Sequence, residues 1–352
     1  MVCNGGPYDT RIFSIDSALG EPPATLDSNS GSYSSLVPKS SVQESWSRLY
    51  AMGSAAAGRV GSTCFAVSHD RFFVDRRPRF NDIPNQPPNA CEFHRLSKDL
   101  VHMTLNGKVC IVTGAFSGIG ESIVRLFLES GGRVVAVDID PKLPEVFAAL
   151  KTENLRCVVG DVAKEETATA YTITALDAFG RIDVMINNAG IALIKPIADI
   201  TPDEWDRVMD VNVKSIYWSA REVIPVMKNQ GGGLFLNTGS ISSVVGLGAQ
   251  GVYGPSKGAV IQITRTMAVD YAKDNIRVNA VCPGSVDTPL LRKAAESSGD
   301  REGFLNAIIA DHPIGRLAGP EEIAEFFLFL ASDRARFFTG AVLMIDGGFT
   351  AW

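Results

Sequence analysis

A tyrosine and a lysine that could exchange a proton stand four residues apart in VYGPSKGAV, residues 252–260. If this stretch is helical, Tyr253 and Lys257 lie on one face, because positions i and i+4 of a helix are neighbours. A free tyrosine titrates near pH ~10, and a nearby ammonium favours the phenolate and lowers that pKa. The pair could form an acid–base centre, although such spacing is most often that of an ordinary surface pair.

A glycine-rich turn, TGAFSGIG at residues 113–120, follows a strand-like run and precedes an apolar helical stripe of Ile123, Leu126 and Phe127. Glycine lets the backbone approach a ligand closely, and the start of a helix offers free N–H groups and a positive dipole to a pyrophosphate. A turn used only for packing would look the same in isolation. The strand–turn–helix setting favours dinucleotide binding.

The next strand-like run ends in Asp138, 18 residues beyond Gly120. A carboxylate there can accept hydrogen bonds from the adenosine ribose hydroxyls, and it would repel a 2′-phosphate. Neither Ser117 nor Ile139 supplies a cation that would offset this repulsion of a 2′-phosphate. Lys142, four residues after Asp138, is the nearby cation that could do so. The sequence therefore favours NAD over NADP as the cofactor.

Seven short apolar runs, separated by helical segments, must position these candidates. Continuous rather than alternating apolar runs are expected of strands covered on both faces. One helix start is marked by Thr201 as N-cap, with Pro202 at the first helical position and Glu204 closing a capping box. Another is marked by GPEE at 319–322, whose acidic residues the helix dipole favours. The pattern predicts the α/β class, with a Rossmann-type doubly wound parallel sheet of seven strands and helices on both faces.

Composition excludes several other classes of protein. The chain has 352 residues, 45% of them hydrophobic, and its net charge of −6 gives no general attraction to nucleic acid or an anionic membrane. No apolar run approaches the ~18–20 residues of a membrane span, and FFLFLA at 326–331 predicts a buried helix. The six cysteines and four histidines show no ligand spacing, so we expect no metal, free thiols and a cytoplasmic location.

The first 102 residues differ from the rest, because they hold 8 of the 18 prolines together with 15 serines. This composition buries too little apolar surface to offset chain entropy, which predicts a disordered N-terminal extension with a small basic cluster at Arg76, Arg77 and Arg79. It lacks the features of a secretory signal and fits a transit peptide poorly, although organellar targeting stays open. From Met103 we expect one NAD(P)-binding Rossmann catalytic domain, residues 103–352. Residues 1–102 are then either a dispensable extension or the product of an over-extended start codon choice.

Residues 106–352 resemble the short-chain dehydrogenase/reductase family, with its motifs in the family's order. The motifs are the TGxxxGxG turn, NNAG at 187–190, Asn212 in DVNVKS, the Tyr253/Lys257 pair and DGG at 346–348. Two more are Asp161-Val162, which match the family's adenine-contacting pair, and PGSVDT at 283–288, which matches the loop that approaches the nicotinamide carboxamide. The resemblance implies that the cofactor is held by Gly114, Ser117, Gly118, Ile119, Gly120, Asp138, Asp161, Val162, Asn188, Ala189, Gly190, Tyr253, Lys257, Pro283, Gly284, Val286 and Thr288.

The resemblance also implies a catalytic tetrad of Asn212, Ser240, Tyr253 and Lys257. Tyr253 would be the general acid/base, and Lys257 would lower its pKa while binding the nicotinamide ribose. Ser240 would polarise the substrate oxygen, and Asn212 would hold a water that relays protons. Ser240 is favoured because it stands 13 residues before Tyr253, with Ser242 as the alternative.

Three positions near this pattern carry further expectations. Gly239 adds flexibility before the serine, and Pro255 stands inside the tyrosine–lysine motif, where the first turn of a helix tolerates proline. His312 is the only histidine after Met103, and we expect it to be a surface or loop residue.

The function implied is an NAD-dependent short-chain alcohol dehydrogenase or ketoreductase acting on a small molecule, with a preference for a hydroxy acid, sugar acid or cyclic alcohol. Residues 290–308 would cover the substrate, and a carboxylate would need a cation such as Arg292, Lys293 or Arg301. The alternatives are an NADPH-dependent 3-oxoacyl-[acyl-carrier-protein] reductase and a non-catalytic NAD-binding scaffold. The resemblance implies a homotetramer or homodimer.

Overall fold

A seven-stranded, entirely parallel sheet organises the described part of the chain, and its order is β3-β2-β1-β4-β5-β6-β7. The computed structural model describes residues 104–351. The strands are Val109–Thr113 (β1), Arg133–Asp138 (β2), Leu155–Val159 (β3), Val184–Asn187 (β4), Gly233–Thr238 (β5), Ile276–Pro283 (β6) and Val342–Ile345 (β7). The doubly wound Rossmann-type sheet predicted from the sequence is confirmed.

The predicted extension lies outside the described residues. So do the basic cluster at Arg76, Arg77 and Arg79, the proposed boundary at Met103, and the cysteines of the first 102 residues. The domain boundary therefore stays a prediction.

Helices follow most of the strands and begin where the sequence marks them. They are Gly118–Glu129 (α1), Leu143–Phe147 (α2), Glu165–Phe179 (α3), Pro202–Met209 (α4), Ser215–Gln230 (α5), Tyr253–Tyr271 (α6), Pro289–Ser297 (α7), Arg301–Ala310 (α8) and Pro320–Ala331 (α9). The capping box of α4 is confirmed, because Glu204 N donates to Thr201 Oγ1 at 3.3 Å and Thr201 N donates to Glu204 Oε2 at 3.0 Å. Pro255 is the third residue of α6, within the turn that tolerates proline.

Hydrophobic layers cover both faces of the sheet, which explains why the strands read as continuous apolar runs. On one face Val112 of β1 packs with Phe127 of α1 and Phe327 of α9. On the other face Ile111 packs with helices α3, α5 and α6, including Val260. Successive residues of β1 thus enter opposite layers, and both layers are apolar.

The strand order changes direction between β1 and β4, since the chain passes from β1 to β2 and β3 and then returns to the other side of β1. Ligands of such sheets bind in the crevice beyond the carboxyl ends of the strands at this point. Thr113, Asn187, Thr238 and Pro283 end the four strands around it. The fold therefore brings the segments after β1, β4, β5 and β6 together.

The three described cysteines, Cys110, Cys157 and Cys282, are free thiols, as predicted. Four of the six residues of the FFLFLA run, which include Phe327 and Leu330, are buried in α9. Among residues 104–351, no helix combines the length and apolar character that a membrane crossing requires.

Candidate active site

The glycine-rich turn between β1 and α1 has the shape that close approach to a ligand requires. Gly114 has φ +67° and Gly118 has φ +60°, a left-handed conformation that L side chains rarely adopt. A Cβ at Gly120 would lie 1.9 Å from the carbonyl oxygen of Gly114, so a side chain there would prevent this turn. A Cβ at Gly118 would lie 3.1 Å from Cγ2 of Thr288, which places the loop after β6 against the turn.

The segment after β4 holds this turn in place. Asn188 Nδ2 donates to the carbonyl oxygen of Thr113 at 3.0 Å, and the N–H groups of Asn188 and Ala189 donate to Thr113 Oγ1 at 3.0 and 3.1 Å. A Cβ at Gly114 would lie 2.8 Å from Cα of Ala189. The NNAG motif and the glycine turn thus form one packed unit.

The groups around the turn fit a dinucleotide. Within the described residues no side chain caps the start of α1, so the N–H groups of its first turn stay available to a pyrophosphate. Asp138 accepts hydrogen bonds from the backbone of Phe116 and Asp140, both at 3.0 Å, and these fix its carboxylate at the end of β2. A carboxylate keeps further lone pairs for two ribose hydroxyls.

An ion pair that sequence reasoning missed holds Asp161, the residue matched to the adenine contact. Arg207 of α4 donates to Asp161 Oδ2 at 2.7 Å, and Ala163 N donates to Oδ1 at 3.0 Å. Burial alone would raise the pKa of Asp161, but Arg207 and Ala163 outweigh it and the pKa is lowered. Nothing in the spacing of residues 161 and 207 signals this pair, which depends on the packing of α4 beside the end of β3.

Ser240, rather than Ser242, faces the tyrosine. Burial raises the pKa of Tyr253, and the nearby Ser240 side chain opposes this without cancelling it. Ser242 stands behind, with its N–H donating to Ser240 Oγ at 3.2 Å. The two side chains thus meet at the carboxyl edge of the sheet, as the preference for Ser240 requires.

Lys257 lies buried beside the tyrosine, with Nζ 5.8 Å from the centre of the Tyr253 ring. Its Nζ donates to the carbonyl oxygen of Thr238 at 2.8 Å, and burial lowers the pKa of Lys257 to about 8. Burial dominates both groups, which raises the pKa of the phenol and lowers that of the ammonium. The lowering of the Tyr253 pKa by Lys257 therefore stays a prediction.

Asn212 connects the segment after β4 to helix α6. It lies in a π-helical turn, Asp210–Lys214, and such turns occur frequently at functional sites. Its Oδ1 accepts from the N–H of Ile191 at 2.9 Å, while Nδ2 donates to the carbonyl oxygen of Ile191 at 2.9 Å and to Ser256 Oγ at 3.0 Å. A Cβ at Gly190 would lie 3.4 Å from Asn212 Oδ1 and 3.5 Å from Lys257 Nζ, so Gly190 borders both side chains.

Gly239 has a steric reason rather than a need for flexibility. A Cβ there would lie 2.5 Å from Sγ of Cys282, and Gly239 has no left-handed backbone conformation. The same Cβ would lie 3.0 Å from Oγ of Ser243, which accepts the N–H of Ser240 at 3.1 Å. The thiol on β6 therefore supports the serine loop, a role that the cysteine spacing did not reveal.

The loop after β6 is held by His312. His312 lies in a loop, as the expectation of a surface or loop residue allows, but it is buried, with 3% of its surface exposed. Its Nε2 accepts from the N–H of Ser285 at 3.1 Å. Val286 is buried and bridges to Ala318, while Thr288 begins α7 and its Oγ1 accepts from the N–H of Leu291 at 3.4 Å.

A doubly wound sheet, a dinucleotide turn and a Ser–Tyr–Lys cluster in one crevice define a dinucleotide-dependent oxidoreductase. The family model described as enoyl-(acyl carrier protein) reductase matches residues 114–350. The 2,5-dichloro-2,5-cyclohexadiene-1,4-diol dehydrogenase of Sphingobium indicum is 40% identical over 252 residues, which cover 70% of this chain and 98% of the relative.

Two solved structures support the same assignment. L-sorbose reductase from Gluconobacter frateurii, complexed with NADPH and L-sorbose, has a TM-score of 0.68 at 33% identity, with 72% of this chain and 100% of that chain covered. The 3-ketoacyl-(acyl-carrier-protein) reductase from Brucella melitensis, complexed with NADH, has a TM-score of 0.64 at 33% identity, with 70% and 100% covered. The chain belongs to the short-chain dehydrogenase/reductase family, whose members use a nicotinamide cofactor.

Proposed function

We propose that the protein is an NAD(H)-dependent oxidoreductase that interconverts a secondary alcohol and a ketone. The observation that carries this proposal is the position of the Ser240 side chain beside the buried Tyr253 and Lys257, at the mouth of the dinucleotide crevice. A hydroxyl and a phenol at this edge can hold one substrate oxygen between them, beside the place where the turn at residues 113–120 would direct a cofactor.

Each side chain has a role in moving the proton. When an alcohol is oxidised, the phenolate form of Tyr253, which the positive charge of a bound oxidised nicotinamide would favour, takes the proton from the alcohol oxygen while Ser240 donates a hydrogen bond to that oxygen. Lys257 binds the ribose hydroxyls beside Tyr253. Asn212, fixed by its hydrogen bonds to Ile191 and Ser256, holds a water through which Lys257 exchanges protons with solvent. A bound nicotinamide ring supplies the hydride acceptor.

The carboxylate of Asp138 supports NAD as the cofactor. Its two backbone hydrogen bonds hold it at the end of β2, where a 2′-phosphate would meet a fixed negative charge. Because one related structure holds NADPH and another holds NADH, relatives alone do not choose between the two. Measuring kcat/KM for one ketone with NADH and with NADPH tests this part, and a strong preference for NADPH would contradict it.

A cyclic secondary alcohol without a carboxylate is the substrate class that we propose. Arg292, the first of the cations considered for a carboxylate, is engaged by Asp287 through two hydrogen bonds of 2.8 and 2.9 Å. A dehydrogenase of a cyclic diol is among the relatives. The 3-oxoacyl carrier-protein reductase stays the second candidate, because a 3-ketoacyl reductase shares the fold at 33% identity.

The decisive experiment is a screen that follows NADH absorbance with cyclic alcohols, hydroxy acids and a 3-oxoacyl thioester. Tyr253→Phe should lower kcat by about 10²–10⁴-fold while NADH affinity is kept, because general acid–base catalysis contributes that much. Ser240→Ala should lower kcat strongly and the matched Ser242→Ala much less. If the wild type binds NAD but turns over none of these compounds, the catalytic proposal fails and a non-catalytic NAD-binding scaffold is favoured. If Tyr253→Phe is as active as the wild type, the role proposed for Tyr253 is wrong.

We also propose a cytoplasmic homotetramer or homodimer that buries the outer faces of α5 and α6. Val269 of α6 is 79% exposed and Tyr217 of α5 is 51% exposed, which suits packing against another copy. Light scattering on the purified chain would report the number of subunits, and a monomer at micromolar concentration would contradict the proposal.

A further inference from the structure

His312 joins three segments of the chain, although it belongs to none of the motifs that carry the proposed function. Its Nδ1 lies 2.7 Å from the carbonyl oxygen of Ile308 in the last turn of α8, and its Nε2 lies 3.1 Å from the backbone nitrogen of Ser285. Its ring also packs on Phe349, with the ring centres 5.1 Å apart. One buried side chain therefore connects the end of α8, the loop after β6 and the C-terminal segment.

The two hydrogen bonds determine which nitrogen of the ring carries the proton. The backbone N–H of Ser285 can only donate, so Nε2 of His312 must accept, and the proton then sits on Nδ1 and is donated to Ile308. The ring thus uses one donor and one acceptor, and each fixes a different segment.

The contact with the loop leaves little room for adjustment. A Cβ at Gly284 would lie 2.8 Å from Nε2 of His312 and 2.8 Å from Cα of Asp346, so the loop backbone is enclosed between the ring and the end of β7. Gly284 and Ser285 lead directly into the residues matched to the nicotinamide contact. A shift at Ser285 is therefore passed along the backbone to Val286 and Thr288.

Both ends of the segment expected to cover the substrate return to this same loop. Helix α7 starts at Pro289, directly after its N-cap Thr288, and helix α8 is followed by His312, which bonds back to Ser285. The loop of residues 284–288 is thus the common support of the cover and of the nicotinamide.

We propose that His312 is a positioning residue for the nicotinamide end of the cofactor: by accepting the N–H of Ser285, it holds residues 284–288 where they meet the nicotinamide. The inference rests on the proposed dinucleotide site, and it adds a residue that touches neither cofactor nor substrate. The adenosine end lies at Asp138 and Asp161, away from this loop, and is not affected by His312.

Two matched variants separate the two hydrogen bonds. In His312→Gln the amide oxygen reaches the place of Nε2 and keeps an acceptor for Ser285, whereas in His312→Asn the amide reaches only the place of Nδ1 and keeps the bond to Ile308. Calorimetry on the purified full chain would compare NAD with ADP-ribose, which has the adenosine and both phosphates but no nicotinamide.

His312→Asn should weaken NAD binding by about three- to tenfold, the effect of one neutral hydrogen bond, and weaken ADP-ribose binding clearly less, so that the ratio of the two affinities falls. His312→Gln should keep the wild-type ratio of the two affinities. Because a partly unfolded variant loses both ligands equally, the ratio is independent of folding.

The inference is overturned if His312→Asn leaves the NAD to ADP-ribose ratio at the wild-type value, or if both variants change that ratio equally. A wild-type protein that binds neither ligand would instead overturn the proposed function, and this inference with it. A protein that binds both ligands with a ratio insensitive to His312 contradicts only the positioning role.

Discussion

Replacing Gly239 by alanine tests whether the Cys282 thiol sets the shape of the serine loop. The new methyl group would lie 2.5 Å from Sγ of Cys282 and 3.0 Å from Oγ of Ser243, well inside the ~3.5–4.0 Å of a favourable carbon contact. Cys282 is fully buried on β6, so the sulphur cannot move into solvent. The loop must shift instead, and overpacking of this kind costs about 1–3 kcal/mol.

The cost should disappear when the sulphur is removed. In a Cys282→Ala background only the 3.0 Å contact with Oγ of Ser243 stays tight, which a small shift of that side chain relieves, and Gly239 has no left-handed backbone that an alanine would strain. Gly239→Ala there should be neutral or stabilising by about 0.4–1 kcal/mol, because alanine restricts the unfolded chain. The double-mutant cycle should show a coupling of about 1–3 kcal/mol, in the range of contacting residues.

Thermal unfolding of the wild type, both single variants and the double variant measures this coupling. For a domain of this size, ~1–3 kcal/mol corresponds to a fall in Tm of roughly 2–12 °C for Gly239→Ala alone. Because Ser240 follows directly, kcat should fall in the same variant and recover in the double variant. If Gly239→Ala costs the same in both backgrounds, the steric account of this glycine is refuted.

Three further variants test other parts of the site. The pKa of Lys257 falls from its ordinary 10.5 to about 8 in the folded protein, so the folded state binds fewer protons between pH 8 and 10.5 than the unfolded chain. The Lys257 contribution to the unfolding free energy should then rise with pH across this window, by at most about 3 kcal/mol, and be absent in Lys257→Met. Urea unfolding of both proteins at pH 8, 9 and 10 checks this. Equal slopes of unfolding free energy against pH in the two proteins would contradict it. Asp138→Ser should raise the KM for NADH by about 10–100-fold, since it removes hydrogen bonds of a charged group, and should lower the KM for NADPH. Steady-state kinetics with both cofactors measures this, and an unchanged preference between them would contradict the role of Asp138. Arg207→Met should weaken ADP-ribose binding by at most about fivefold, because the ion pair with Asp161 is partly exposed. Calorimetry measures this affinity, and an affinity equal to that of the wild type would show that the ion pair does not support the adenine site.

The positions of three tetrad residues, Ser240, Tyr253 and Lys257, could be predicted from the sequence. Tyr253 and Lys257 share a helix, so their proximity follows from local geometry that any four-residue spacing in a helix would produce. Ser240 was favoured over Ser242 by counting residues, and the structure places Ser240 against the tyrosine. Its catalytic role stays a prediction, as do the assigned roles of the other three residues.

The net pKa shifts of Tyr253 and Lys257 could not be predicted from the sequence, for a physical reason. The sequence shows that a lysine stands near a tyrosine, and proximity suggests that the ammonium lowers the pKa of the phenol. Burial acts on both groups at once, raises the pKa of Tyr253 and lowers that of Lys257, and burial depends on the whole sheet and its layers rather than on the motif. The burial of His312 could not be predicted for the same reason, because its surroundings come from the loop after β6, α8 and the C-terminal segment together.

The sequence by itself determined the strand–helix alternation, the glycine turn and the order of the motifs, because these depend on local periodicity, on backbone conformations open only to glycine, and on chain order. The contacts between distant segments were decided only by the tertiary structure: Arg207 with Asp161, Cys282 with Gly239, and His312 with Ser285. Each of these pairs is separated by 27 or more residues, so its geometry is set by how the helices pack on the sheet and not by any spacing along the chain.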